Sequence, residues 1–107
     1  MARILFITQR DGKQFSVNEV PGITIMEAAL KNDIPGILGE CGGACSCATC
    51  HVYIDDEWID RVGEPNIMEE DMLDFAFERT ENSRLSCQIT LDENLDGIVV
   101  HIPERQA

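Results

Sequence analysis

Four of the five cysteines stand within ten residues, in the segment CGGACSCATCH at residues 41–51. The fifth, Cys87, lies far away in the sequence. Thiolates are preferred ligands of zinc and of iron–sulfur clusters. Where thiols stay reduced, cysteine clusters more often bind metals or take part in catalysis than form disulfides. The segment therefore predicts a metal centre.

Three kinds of centre fit the spacing poorly. The C-x-x-C-H pattern of residues 47–51 is that of covalent haem attachment, but it leaves three cysteines unused, and the strand-like N-terminus predicts no export signal. A Rieske cluster needs two histidine ligands, and only His51 stands near the cysteines. A zinc ribbon needs a second C-x-x-C pair, whereas only a single Cys87 follows.

A 2Fe–2S cluster uses the spacing best, because it needs four thiolates. Cys41, Cys47 and Cys50 form C-x5-C-x2-C, and Cys87 is available as a distant fourth thiolate. The plant-type pattern C-x4-C-x2-C would require a cysteine at Gly42. Small residues between the cysteines suit a loop whose backbone N–H groups approach cluster sulfurs. Zinc remains the alternative metal at this point.

Charge and length limit the classes of protein to which this chain can belong. The chain has 107 residues and a net charge of −12, with 20 acidic and 8 basic side chains. This excess of acid argues against nucleic acid and favours a partner with a basic face. The length predicts a single domain over residues 1–107. Since no apolar run approaches the ~20 residues that span a bilayer, we expect a cytoplasmic protein without a membrane partner.

The first third of the chain predicts a hairpin and a helix. Residues 3–8 and 14–20 have strand patterns, and Asp11 and Gly12 between them indicate a tight type I′ turn. Thr24 and Glu27 form a capping-box pattern. The helix that follows is predicted over about residues 25–32, and its apolar stripe consists of Met26, Ala29 and Leu30.

The rest of the chain predicts strands at residues 51–54, 85–90 and 97–102. A second helix is predicted from Asn66 to about residue 77. This order of elements is α+β. It favours a mixed sheet with a helix packed across one face, as in a β-grasp (ubiquitin-like) fold.

Acidic residues dominate the segment from residue 55 to 81, which has eleven acidic and only two basic side chains. Helical spacing places four acids on one side of the second helix: Glu70, Asp71, Asp74 and Glu78. It places three apolar residues on another side: Met68, Met72 and Ala76. Acids in the first turn, such as Glu69, are favoured by the helix dipole. The acidic side is either a solvated surface or a docking surface.

Three motifs occur in a characteristic order and spacing: CGGACSCATCHVY, EEDMLDFA and SRLSCQI. With them, essentially the whole chain resembles the adrenodoxin and putidaredoxin family of 2Fe–2S ferredoxins. The resemblance implies a β-grasp fold with one 2Fe–2S cluster held by Cys41, Cys47, Cys50 and Cys87. It implies an electron carrier rather than an enzyme. Electrons would pass from an NAD(P)H-dependent flavoprotein ferredoxin reductase to a cytochrome P-450 monooxygenase or another redox acceptor.

The resemblance also assigns roles outside the ligand set. Asp71 and Asp74 match residues that dock redox partners in the family, and Glu70 extends that surface. Glu40, just before the first ligand, matches an acidic residue of the family in type. His51 would brace the cluster loop through hydrogen bonds. Cys45 is then a spare cysteine that fills space.

Two other functions stay open. A ferredoxin that serves iron–sulfur cluster assembly has a similar sequence. A zinc-stabilised interaction module, with the acidic helix as its working surface, belongs to a different class. A 2Fe–2S protein is brown and bleaches on reduction, whereas a zinc protein is colourless. We expect a monomer in each case.

Overall fold

The computed structural model describes residues 2–34 and 50–103, except residues 75 and 77. Within these ranges the chain forms five strands, two α-helices and two short 3-10 helices. The strands are β1 (Ala2–Thr8), β2 (Gln14–Glu19), β3 (His51–Ile54), β4 (Ser83–Leu85) and β5 (Ile98–Ile102). The α-helices are α1 (Ile25–Lys31) and α2 (Ile67–Leu73), and the 3-10 helices are Ser86–Gln88 and Glu93–Leu95.

The strands form one mixed sheet in the order β2-β1-β5-β3-β4. β1 and β5 run parallel, and the other neighbours are antiparallel. Alternate residues of β1 and β5 are buried, as expected for strands that place one face on a core. The buried side of α1 belongs to the same core. The predicted α+β arrangement, a mixed sheet with a helix packed against it, is confirmed.

The hairpin between β1 and β2 is confirmed, but its predicted tight turn is wrong. Five residues, 9–13, connect the strands, and only Gly12 among them has positive φ, at 70°. The Thr8 N–H donates to the Lys13 carbonyl at 2.9 Å, and the Gly12 N–H donates to the Thr8 carbonyl at 2.8 Å. The Asp11 carboxylate accepts from the Thr8 hydroxyl and the Lys13 N–H. Asp11 therefore closes a longer loop by its side chain and needs no left-handed backbone.

The capping box of α1 is confirmed. Thr24 Oγ1 accepts from the Glu27 N–H, and Glu27 Oε1 accepts from the Thr24 N–H, both at 3.1 Å. The buried side of α1 consists of Ile25, Met26, Ala28 and Ala29. Leu30, which was predicted in the apolar stripe, is 43% exposed. At about 100° per residue it lies past the edge of the buried stripe.

Two predicted elements of the second half differ from the structure. α2 ends at Leu73 and not near residue 77, and Glu78 has a left-handed backbone with φ of 47°. The predicted strand 85–90 is β4 followed by the 3-10 helix Ser86–Gln88. Strands 51–54 and 97–102 are confirmed as β3 and β5. In the described ranges, we find no helix long and apolar enough to cross a membrane.

Candidate metal centre

Two cysteines meet at the end of the β3–β4 ladder. Cys50 directly precedes β3, and Cys87 lies in the 3-10 helix that directly follows β4. The antiparallel pairing of His51 with Leu85 brings the start of β3 and the end of β4 together. Both thiols are buried, and their Sγ atoms are 3.2 Å apart. The structure thus brings together two of the four predicted ligands.

The other predicted residues of this region are Cys41, Cys45, Cys47 and Glu40, and they lie outside the described residues. Their positions relative to Cys50 and Cys87 therefore stay predictions.

Ser86 fixes the backbone beside both thiols. Its N–H donates to the Cys50 carbonyl at 3.0 Å, and its buried hydroxyl donates to the same oxygen at 2.7 Å. Both lone pairs of that carbonyl are used by one residue, which holds the start of β3 against the 3-10 helix. Sequence reasoning assigned Ser86 only to a strand. Its position directly before Cys87 was the one available signal.

The acidity and the spacing of the Cys50 and Cys87 thiols are compatible with a role as metal ligands. The neighbouring Cys50 thiol lowers the pKa of Cys87, against the opposing effect of burial, and the Gln88 amide at 3.5 Å adds to the lowering. A lower pKa favours the thiolate, which is the form that binds metals. The Sγ–Sγ distance of 3.2 Å is longer than the about 2.05 Å of a disulfide. It lies between that length and the ~3.8 Å expected for two thiolates on one tetrahedral metal with metal–sulfur bonds of about 2.3 Å.

His51 lies next to this pair and is fully buried. Its Nε2 is 2.8 Å from the Ser83 hydroxyl oxygen, and that oxygen also accepts from the Thr80 N–H at 2.8 Å. The Tyr53 ring packs edge-on against the imidazole, with centroids 4.7 Å apart. Burial, and then the charge of Arg79, lower the pKa of His51 to about 4, so the ring is neutral at pH 7. These contacts connect the residue after Cys50 to residues 80–83.

A buried ion pair joins α2 to β4. Glu69 is 1% exposed and Arg84 is 5% exposed. Arg84 donates from Nε to Glu69 Oε2 at 2.6 Å and from Nη2 to Oε1 at 3.0 Å. Glu69 Oε2 also accepts from the Leu85 N–H at 2.9 Å. Sequence reasoning treated Glu69 as an acid of the first helical turn and missed this role, because no local pattern reveals the arginine partner.

Arg84 also holds the segment before α2. Its Nη1 donates to the Gly63 carbonyl at 2.9 Å and approaches the Val62 carbonyl at 3.4 Å. The same arginine thus connects residues 62–63, α2 and β4, and it stands three positions before Cys87. Arg84 in this way ties α2, which carries acidic residues, to β4, the strand that leads into Cys87.

The outer side of α2 carries the predicted acids, but they are not equivalent. Arg79 donates to Glu70 Oε2 at 2.7 Å and to Asp74 Oδ1 at 2.6 Å, and both carboxylates remain largely exposed. Asp71 is exposed, and no cationic side chain of the described residues forms an ion pair with it. Glu78 lies beyond the helix, where its carbonyl accepts from the Tyr53 hydroxyl at 2.8 Å. The predicted row of four helical acids is therefore wrong at Glu78.

The predicted apolar side of α2 needs a correction as well. Leu73 is the fully buried apolar residue of α2, and Met72 and Ala76 are partly buried against the core. Met68, which was predicted on the apolar side of the helix, is 62% exposed, and Ile67 is 81% exposed. The first turn of α2 turns Glu69 inward to Arg84, so the neighbouring apolar residues face outward.

A buried thiol pair at the end of a sheet ladder, beside an exposed acidic helix, is the arrangement expected of a protein that binds a metal through thiolates. Among the described residues, no group of three or more His, Cys, Asp or Glu side chains is placed to hold a metal ion by itself. Within the described residues, the thiol pair is the feature that matches the predicted metal centre.

Comparison with known proteins agrees with this chemistry. Residues 8–92 match the 2Fe-2S iron-sulfur cluster binding domain. The 2Fe-2S ferredoxin CtmE of Castellaniella defragrans is 49% identical over 89 residues, which is 83% of this chain and 83% of that protein. Putidaredoxin of Pseudomonas putida is 42% identical over 107 residues, which is 99% of each chain.

Solved structures show the same fold. The crystal structure of a ferredoxin from Rhodopseudomonas palustris HaA2 has a TM-score of 0.94 and 46% identity, and the match covers 98% of this chain and 99% of that one. The putidaredoxin chain in the covalent putidaredoxin reductase–putidaredoxin complex has a TM-score of 0.91 and 42% identity, with 97% and 100% covered.

The chain belongs to the family of 2Fe–2S iron–sulfur cluster binding domains, and within it to the ferredoxins of the adrenodoxin and putidaredoxin type. Its α+β fold is the β-grasp ferredoxin fold, as predicted. It carries one 2Fe–2S cluster and is an electron-transfer protein, not an enzyme. The zinc-module alternative is thereby excluded.

Proposed function

We propose that this ferredoxin carries single electrons from an NAD(P)H-dependent flavoprotein ferredoxin reductase to a cytochrome P-450 or another redox acceptor. The observation that carries the proposal is the buried Cys50–Cys87 thiol pair, with Sγ atoms 3.2 Å apart, in a chain of this family. The similarity to putidaredoxin, which has been solved in a complex with its reductase, supports a flavoprotein donor.

The proposed cluster ligands are Cys41, Cys47, Cys50 and Cys87. Cys50 and Cys87 are close enough to bind the same iron, which leaves Cys41 and Cys47 for the other iron. The bound cluster supplies reversible one-electron chemistry, and the chain supplies ligands, burial and hydrogen bonds that set its potential. Ser86 fixes the backbone between the two described ligands. Cys45 is the spare cysteine.

Around the ligands, the proposed role of His51 is to brace the cluster loop. Its hydrogen bond to Ser83 and its contact with Tyr53 fix the start of β3, directly after Cys50. Because the imidazole is buried and neutral at pH 7, it adds no charge beside the thiolates.

The proposed docking residues are Glu70, Asp71 and Asp74 on α2, together with Glu40 beside the first ligand. A net charge of −12 attracts a partner with a basic face and speeds the encounter. Complexes that transfer electrons are small and short-lived, which suits a few charged contacts better than a large apolar interface. We further propose a monomer that works in the cytoplasm, because its thiols must stay reduced and its charge opposes self-association.

Serine substitutions test the ligand set. Cys45→Ser is expected to keep the iron content and the visible spectrum, whereas Cys41→Ser, Cys47→Ser, Cys50→Ser and Cys87→Ser lose or distort the cluster. Cys45→Ser is thus the matched control. It makes the same chemical change as the other four variants, and three of those lie in the same cysteine-rich segment, residues 41–51. A folded but colourless Cys45→Ser protein would falsify the assignment.

Reduction by a flavoprotein tests the function. With NAD(P)H and the ferredoxin reductase of the same organism, the brown colour of the wild-type protein should bleach at substoichiometric reductase. Bleaching by dithionite serves as the control for an intact cluster. A protein that dithionite bleaches but the reductase does not would lead us to abandon the proposed donor.

A further inference from the structure

α2 exposes two large apolar side chains to solvent. Ile67 is 81% exposed and Met68 is 62% exposed, compared with 52% for Val20 and 43% for Leu30, the other exposed large apolar residues of the described structure. Single exposed apolar residues are common on protein surfaces. Ile67 and Met68 differ in being adjacent and in lying within the helix that carries the acidic residues.

Helical spacing adds one carboxylate to this apolar pair. Asp71 follows Ile67 by four positions and Met68 by three, so the three side chains share one face of α2. Among the described residues, Asp71 has no ion-pair partner, whereas Glu70 and Asp74 are both paired with Arg79. We call Ile67, Met68 and Asp71 the α2 patch. It combines an exposed apolar pair with the one α2 carboxylate that has no ion-pair partner among the described residues.

We propose that the α2 patch is the anchoring site for the flavoprotein reductase, with Ile67 and Met68 in an apolar depression and Asp71 against a basic residue at its edge. This inference rests on the proposed function. Charge complementarity supports the choice of partner, because an acidic surface around the patch requires a basic rim on the protein that covers it. An acidic second copy of this chain would be repelled.

The apolar pair is expected to supply much of the binding energy of such a complex. Interfaces of redox complexes lie at the small end of the range, below about 1,200 Å² of total buried surface. In any interface, a few central side chains carry most of the binding energy, while charged residues at the rim act mainly on association. Two fully covered apolar side chains are therefore a large share of what holds such a complex. Asp71 gives the contact its orientation.

The two components of the patch respond differently to salt. Attraction between Asp71 and a basic partner is screened, since the Debye length falls from ~10 Å at 0.1 M to ~3 Å at 1 M ionic strength. Burial of Ile67 and Met68 is not screened. Loss of the apolar pair should thus weaken binding by the same factor at all ionic strengths, whereas loss of Asp71 should weaken it mainly at low salt.

The test compares Ile67→Gln/Met68→Gln with Val20→Gln/Leu30→Gln, which makes the same kind of change at exposed apolar residues outside α2. The measurement is the rate at which the reductase of the same organism reduces each ferredoxin, at several ferredoxin concentrations and ionic strengths. The α2 double variant should raise KM about tenfold, equivalent to about 1.4 kcal/mol, with an unchanged kcat and salt slope. The control should keep the wild-type KM.

Thermal melts and visible spectra of both double variants should match the wild type, since the changes are on the surface. A wild-type KM in the α2 variant would overturn the inference. So would a defect confined to electron delivery to the acceptor, or a concentration-dependent dimer of the wild type that the variant loses. If the reductase does not reduce the wild type at all, the proposed donor fails as well, and this outcome is distinct from the other three.

Discussion

The inner and outer sides of α2 use the same kinds of residue in opposite ways. On the inner side the carboxylate of Glu69 is buried together with the Leu73 side chain. On the outer side Ile67 and Met68 are exposed beside the carboxylate of Asp71. Charged residues are rarely fully buried without a partner, and adjacent large apolar residues are seldom left in solvent. The difference indicates that the inner side serves the fold and that the outer side is available to a partner.

The ion pairs of the two sides also differ in energy. The pair of Glu69 with Arg84 is buried and has two hydrogen bonds between the charged groups. Removing one member would leave an uncompensated charge inside the protein. Arg79, in contrast, pairs with Glu70 and Asp74 on an exposed surface, where solvent screens the attraction. Only the inner pair should be essential for stability.

The largest expected effect is therefore that of Glu69→Gln. This change keeps the size of the side chain, removes the charge opposite Arg84 and weakens the acceptor of the Leu85 N–H. We expect the free energy of unfolding to fall by about 3–5 kcal/mol. For a chain of this size the melting temperature should fall by more than about 10 °C. Circular dichroism and visible absorption of the cluster-loaded protein, recorded during the same melt, provide the measurement.

Glu70→Gln is the matched control, because it makes the same change one position away on the outer side. Its effect on the free energy of unfolding should stay within about 0.5 kcal/mol. Replacing both members of the inner pair by apolar residues, Glu69→Leu/Arg84→Met, should restore part of the stability lost in Glu69→Gln. Equal melting temperatures for Glu69→Gln and Glu70→Gln would show that the two sides of the helix do not differ as we argue.

This contrast also shows what the sequence could predict. Short-range signals worked: the Thr24–Glu27 capping box is present, and α2 begins after Asn66, as predicted, where the Asn66 side chain accepts from the Glu69 N–H. Each of these contacts joins residues three positions apart. The orientation of α2 was predicted incorrectly around Glu69. Periodicity places acids outside, and only the position of Arg84, fifteen residues later and on another strand, reverses that preference.

For the site too, short-range signals predicted correctly, and the error arose where residues distant in the sequence are in contact. The cysteine spacing and the flanking motifs indicated a 2Fe–2S ferredoxin, and the family is confirmed. The 3-10 helix at Ser86–Gln88 was missed because its residues have a strand pattern. What turns the chain there is the contact of Ser86 with the Cys50 carbonyl, 36 positions away in the sequence. Contacts between distant segments, rather than local preferences, decided each of these errors.

A smaller loss of stability is expected for Ser83→Ala. The Ser83 hydroxyl is buried, accepts from the Thr80 N–H and lies 2.8 Å from Nε2 of His51. Removing it takes one hydrogen-bond partner from the buried His51 ring and one from the Thr80 N–H, which should cost about 1–3 kcal/mol. Ser16→Ala, on the exposed side of β2, is the control and should be nearly neutral. If His51 braces the cluster loop, Ser83→Ala should also lose its visible absorption faster on heating than Ser16→Ala does; equal rates would argue against that role.

The smallest effect should separate two acids on the outer side of α2. Asp71→Asn and Asp74→Asn each remove one negative charge, so each should flatten the salt dependence of reduction by the reductase to a similar extent. In the free ferredoxin, however, Asp74 is held by Arg79 and would have to leave it before it could bind a basic partner, whereas Asp71 has no such bond to break among the described residues.

We therefore expect Asp71→Asn to raise KM by about three- to fivefold near 0.15 M ionic strength and Asp74→Asn by less than about twofold. The measurement is the reduction rate against ferredoxin concentration at several ionic strengths, with unchanged visible spectra as the check on the cluster. An equal or larger effect of Asp74→Asn would mean that Arg79 releases Asp74 when the partner binds. The outer ion pairs would then be part of the docking surface, and the distinction between Asp71 and its neighbours would not survive complex formation.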